Sequence, residues 1–78
     1  MKIAEAVKER IEEIIYEKKI SKYSLYNGTG ISEGTINGIL YVKNKGINLT
    51  TLVEIIRVLG ITVQEFFNSP LFDVDKLD

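Results

Sequence analysis

Apolar positions recur at helical intervals along most of this chain. Val7, Ile11, Ile14 and Ile15, with charged residues filling the remaining positions, predict an amphipathic helix over residues 3–19. Between residues 21 and 39 the apolar side chains fall at Leu25, Ile31, Ile36 and Ile39. Ser21 and Ser32 bracket this stretch as helix caps, each hydroxyl placed to accept from an orphan amide. Gly30 lies between them and suits the left-handed residue of a tight turn. The pattern predicts a helix from Ser21 to Asn27-Gly28, a turn, and a further helix over 33–41.

Asn48 caps a fourth helix over 49–59, apolar over a broad face: Leu49, Leu52, Val53, Ile55, Ile56, Val58 and Leu59. Gly60 ends it. Thr62-Val63-Gln64-Glu65 reads as a capping box opening a short fifth helix through Phe66 and Phe67. Pro70 blocks its continuation. The tail from Leu71 to Asp78 mixes apolar and acidic residues and is expected to order only against a partner. No run alternates long enough for a strand. The expected architecture is all-α, a compact five-helix bundle over residues 1–69 with a C-terminal tail over 70–78.

The surface of the first helix offers little. Glu5/Glu9, Glu9/Glu13 and Glu13/Glu17 are like-charge pairs four apart, and Glu12 has no ideal partner in Lys8 or Tyr16. This helix is therefore expected to be held by its buried stripe.

A chain of 78 residues is read as one domain, of a size that buries about 60% of its unfolded surface. There is no cysteine, which excludes disulfides, thiol catalysis and thiolate metal sites. There is no histidine, which excludes the usual zinc sites and imidazole acid–base chemistry. Carboxylate pairs fall only on solvated helix faces, so an enzyme reading has little support, and no cofactor or small-molecule substrate is expected. Met1 to Arg10 returns to charge too soon for a secretory signal, and no run has the length of a membrane span. The expectation is a cytoplasmic protein without a membrane partner.

Net charge is −1, but it is unevenly spread. Residues 1–20 balance. Residues 21–50 carry Lys22, Lys43 and Lys45 against Glu33 alone. Residues 51–78 carry Arg57 and Lys76 against Glu54, Glu65, Asp73, Asp75 and Asp78. The only positive third thus contains the helix–turn–helix pattern. Such a motif presents its second helix outward, where it can enter a DNA major groove.

On that second helix, Asn37 is the leading candidate base reader, since its amide can pair with adenine N6 and N7. Glu33 can accept from cytosine N4, or simply favour the helix dipole as an N-terminal acid. Gly34 and Gly38 are placed four apart on the exposed face. They read either as sites of close approach, to DNA or to another helix, or as tolerated drift. Lys43, Asn44 and Lys45 follow the helix and read as a phosphate clamp or as a soluble turn. The tyrosines at 16, 23, 26 and 41 are too scattered for a stacking platform and are expected to be partly buried, with Tyr23 and Tyr41 able to donate to phosphates.

From Arg10 to Phe67 the chain resembles a lambda-repressor-like helix-turn-helix domain of the Cro/repressor (Xre) type. The resemblance is carried by Ser21…Leu25, Thr29-Gly30-Ile31-Ser32, Thr35-Ile36…Ile39-Leu40 and Thr51-Leu52…Ile55-Ile56…Leu59-Gly60-Ile61-Thr62…Glu65-Phe66-Phe67. It implies a bacterial or phage transcription regulator that binds operator DNA, commonly as a dimer. Lys22 stands where the family usually has a phosphate- and base-contacting glutamine. Ser32 matches the family serine that meets a phosphate at the start of the recognition helix. Thr35 matches a threonine at the groove edge, and Glu33, Gly34 and Asn37 occupy the base-reading face. Tyr26 replaces a small residue, usually alanine, at the contact of helices 2 and 3. Val42 and Ile47 replace a common glycine and proline, with Gly46 expected to supply the turn. Gly38 stands at a frequently basic position.

The expected DNA-contacting set is therefore Lys22, Ser32, Glu33, Gly34, Thr35, Asn37, Lys43, Asn44 and Lys45. The expected function is sequence-specific binding of double-stranded DNA as a transcriptional regulator, in the sense of a repressor. Only three lysines at the contact face imply a homodimer, with the helix 4 face, Phe66, Phe67, Leu71 and Phe72 as its surface. The rival is a protein-interaction helix-turn-helix module, such as an antitoxin or repressor partner, favoured by the acidic last third.

Overall fold

The computed structural model describes residues 1–42 and 46–78. Five α-helices follow in order: α1 (Ile3–Lys18), α2 (Lys22–Gly28), α3 (Glu33–Leu40), α4 (Leu49–Leu59) and α5 (Val63–Phe67). Two single-turn 3₁₀ segments, Pro70–Phe72 and Val74–Lys76, complete the chain. The described residues contain no strand, so the molecule is the all-α bundle the periodicity predicts.

Each helix gives its apolar stripe to one core. Val7, Ile11 and Ile14 come from α1, Leu25 from α2, and Ile36, Ile39 and Leu40 from α3. Leu52, Ile55, Ile56 and Leu59 come from α4 and Phe66 from α5. This corrects the expected dimer surface. The inner face of α4 and Phe66 are consumed within the chain, leaving Leu49, Val63 and Phe67 exposed in that region.

The helix ends explain where each element stops. The Lys2 amide donates to Glu5 Oε1 at the start of α1 (3.0 Å). Lys19, in the left-handed region at φ 56°, closes it, and the Ile20 amide returns to the Ile15 carbonyl (3.0 Å). Asn48 Oδ1 accepts from the Thr50 and Thr51 amides. Thr62 and Glu65 form the anticipated reciprocal box around α5. Ser21 differs from expectation: its backbone is extended as a cap requires, yet its hydroxyl pairs with that of Ser24 (3.2 Å) and caps no amide. Glu12 also differs, meeting Lys8 Nζ at 3.3 Å. That partly exposed pair places the cation before the anion, the weaker order for a helix.

Two features set how α2 and α5 sit. A Cβ on Gly28 would lie 3.1 and 3.2 Å from the Val58 methyls, so the end of α2 presses against α4 where a larger residue would not fit without adjustment. The Arg10 guanidinium donates to the Phe66 and Glu65 carbonyls, both at 2.7 Å, and pairs with Glu13. It thereby caps the C-terminal end of α5 from α1.

The tail also departs from expectation, because it is ordered against its own chain. Phe72 stacks edge-on to Phe67 with centroids 4.8 Å apart and lies 5.8 Å from Phe66. The Met1 ammonium donates to the Lys76 carbonyl and the Asp78 amide to the Met1 carbonyl. Leu71, Phe72 and Leu77 are thus partly covered, while Val74 stays exposed.

Candidate DNA interface

Hydrogen bonds of Thr29 tie the end of α2 to the turn that leads into α3. Thr29 Oγ1 donates to the Leu25 carbonyl at 2.6 Å and accepts from the Ile31 amide at 3.1 Å. Gly30 takes φ +70°, the left-handed conformation the turn was expected to need. Leu25 and Ile36 are buried across this corner and Ile31 packs at its edge.

Ser32 caps α3, its hydroxyl accepting from the Thr35 amide at 3.2 Å and lying 2.8 Å from the Thr35 hydroxyl. Both hydroxyls are solvent-exposed while serving the cap. Glu33 is exposed in the first turn, where a carboxylate favours the dipole. Gly34 is exposed, and a Cβ there would meet nothing within 4 Å. Opposite this open side, Ile36, Ile39 and Leu40 enter the core. A helix of eight residues is about 12 Å long, comparable with the width of the major groove.

Asn37 lies at the boundary of the two sides. It is half-buried, and its Oδ1 accepts from the Tyr26 hydroxyl of α2 at 2.7 Å. Tyr26 is itself half-buried against the core. The bulky residue at the contact of α2 and α3 is thus accommodated by laying its ring along the core and reaching α3 with its hydroxyl. Sequence reading did not connect these two residues. The available signal was the large polar-tipped side chain at a position that is usually small.

Gly38 is buried, which corrects its placement beside Gly34 on an exposed face. With Ala4, Val7, Ile39, Gly46 and Ile47 it lines a narrow crevice between α1, α3 and the segment that follows. The left-handed turn after α3 falls at Val42 itself (φ 52°). The tyrosines divide differently from expectation too: Tyr16, Tyr23 and Tyr41 are 85, 69 and 61% exposed, and only Tyr26 is partly buried. Lys22 is exposed in the first turn of α2. Lys43, Asn44 and Lys45 lie outside the described residues.

The structure therefore brings Ser32, Glu33, Gly34 and Thr35 together on the exposed start of α3, with Asn37 one turn further on and tied to α2. Among the described residues, no group of three acidic side chains is arranged to hold a metal ion. Among the described residues, no helix is long and apolar enough to cross a membrane.

Comparison with known protein families identifies the helix-turn-helix domain. Residues 10–70 match the family model of the Cro/C1-type helix-turn-helix DNA-binding domain. No curated protein and no solved structure matches the chain. The match spans the Arg10 anchor, both helices of the motif, α4 and α5, so the chain belongs to the family of Cro/C1-type helix-turn-helix DNA-binding domains.

Proposed function

We propose that this protein is a cytoplasmic, sequence-specific transcriptional regulator that represses by occupying an operator, with α3 in the major groove. The observation that carries this reading is the division of α3. One side is locked into the core by Ile36, Ile39 and Leu40, while Ser32, Glu33, Gly34 and Thr35 remain open to solvent. Asn37 and Glu33 address base edges, and the exposed Gly34 allows close backbone approach. Lys22, Ser32, Thr35, Lys43, Asn44 and Lys45 hold phosphates. The role is binding rather than catalysis.

A single copy with so few cations has limited affinity, because phosphate neutralisation supplies much of the binding energy. Two copies on a palindrome, with half-sites about 34–36 Å apart, supply the rest. The surface joining them draws on the apolar groups left outside the core, such as Leu49, Val63 and Phe67. Sedimentation at micromolar concentration and on a palindromic duplex measures this step, and a monomer in both conditions excludes it.

The central test is fluorescence-anisotropy binding to random duplex DNA at two salt concentrations, for the wild type and the Lys43→Glu/Lys45→Glu variant. Salt-sensitive binding that the variant loses supports the DNA reading. Absence of binding at low salt refutes it and directs the search to a protein partner. A reporter under a selected operator then separates repression from activation.

A further inference from the structure

We propose that Tyr26 is a positioning residue for base recognition: its hydroxyl holds the Asn37 side chain in one place on α3 and so sharpens the adenine preference that Asn37 sets at one position of each half-site. The inference rests on reading α3 as the base-contacting helix.

An asparagine side chain has two ends of nearly equal size and opposite hydrogen-bonding character. Rotation about its last bond exchanges donor and acceptor at the same place. Adenine presents an N6 donor beside an N7 acceptor, so only one of the two amide orientations matches its edge. An unrestrained Asn37 would have to be ordered on binding.

Tyr26 limits how much must be ordered. Its O–H donates to Asn37 Oδ1 at 2.7 Å in a half-buried setting, where water competes poorly for the bond. The ring is held against the core, so the hydroxyl is delivered from a fixed base on α2. A hydroxyl also accepts, so the amide can turn over and keep a bond to it; what the bond fixes is where the amide lies, 2.7 Å from a group anchored on α2. In the observed orientation Oδ1 keeps its second lone pair and Nδ2 keeps both N–H groups. One acceptor and one donor are what the adenine edge requires. Phenylalanine at 26 would keep the ring and remove only the restraint.

The test is selection of binding sites from a random duplex pool by the wild type, Tyr26→Phe, Asn37→Ala and the double variant, followed by affinity measurements on random DNA. We expect Tyr26→Phe to lose about tenfold in discrimination at one base pair per half-site, the same base pair at which Asn37→Ala loses preference. Affinity for random DNA and its salt dependence should not change, and the double variant should be no worse than Asn37→Ala. Selection of an unchanged sequence by Tyr26→Phe overturns the proposal while leaving the DNA reading intact. So does an equal loss on random and selected DNA, which would mark a structural role. Failure of the wild type to bind any duplex removes the DNA reading and this inference with it. A DNA-free measurement stands beside these: three-bond couplings are expected to report a single Asn37 side-chain rotamer in the wild type and averaging in Tyr26→Phe, and averaging in the wild type refutes the restraint.

Discussion

Gly30 and Gly34 lie four residues apart, and a Cβ on either would meet nothing within 4 Å. Space alone would make the same substitution equivalent at both. Backbone conformation separates them. Gly30 holds φ +70°, where an L side chain crowds its own carbonyl, whereas Gly34 sits in the first turn of α3. Gly30→Ala should therefore cost about 1–2 kcal/mol. Gly34→Ala should stabilise by up to about 1 kcal/mol, because alanine restricts the unfolded chain and favours the helix. Urea melts of the two variants check the opposite signs. If Gly34 serves backbone approach to DNA, Gly34→Ala will bind DNA more weakly while melting later, which drift alone would not produce. Gly30 was legible in the sequence because glycine signals a left-handed turn. Lys19 and Val42 adopt the same backbone region and were not, since lysine and a β-branched side chain carry no such signal. Glycine at 38 misled in the other direction: its position suggested an exposed face, but packing against α1 and the following segment buries it.

At the level of elements, helix count, order and most caps were legible because period and capping chemistry are local. The anchoring of α5 was not, because it depends on groups more than fifty positions apart. A helix of five residues cannot persist on its own hydrogen bonds. Its capping box holds one end, Phe66 fills the core, and Arg10 from α1 takes the terminal carbonyls at the other end. The fork of the guanidinium reaches two carbonyls at once, which a single ammonium cannot reproduce. Arg10→Ala is expected to destabilise the domain by about 2–3 kcal/mol, and Arg10→Lys to recover less than half of that. Chemical denaturation of both variants measures the difference. Equal stability of Arg10→Lys and wild type would show that charge near Glu13, rather than the paired carbonyl bonds, is what α5 requires. By contrast the Lys8–Glu12 pair, also missed in the sequence, is solvent-facing, and Lys8→Ala should shift stability by less than about 0.5 kcal/mol.

For the whole molecule, the uneven charge seen in the sequence is also uneven from element to element. Lys22 starts α2, the acidic groups from Glu54 onward lie on α4, α5 and the tail, and the exposed polar side of α3 belongs to the less acidic part. Net charge of −1 therefore understates what a duplex would meet at the motif. Lys22 permits a measurement that bears on both contact and assembly. Each lysine that neutralises a phosphate of duplex DNA adds about 0.9 to the slope of log affinity against log salt. Lys22→Gln, which restores the residue usual in the resembled family, removes one such charge per copy and leaves a side chain able to hydrogen-bond. If one copy occupies the DNA, the slope should fall by about 0.9; if two copies occupy a palindrome, it should fall by about 1.8. The same titration thus counts protomers without relying on the hydrodynamics of the complex. A slope that does not change would place Lys22 away from the phosphates and leave the lysines after α3 to provide the cationic contacts.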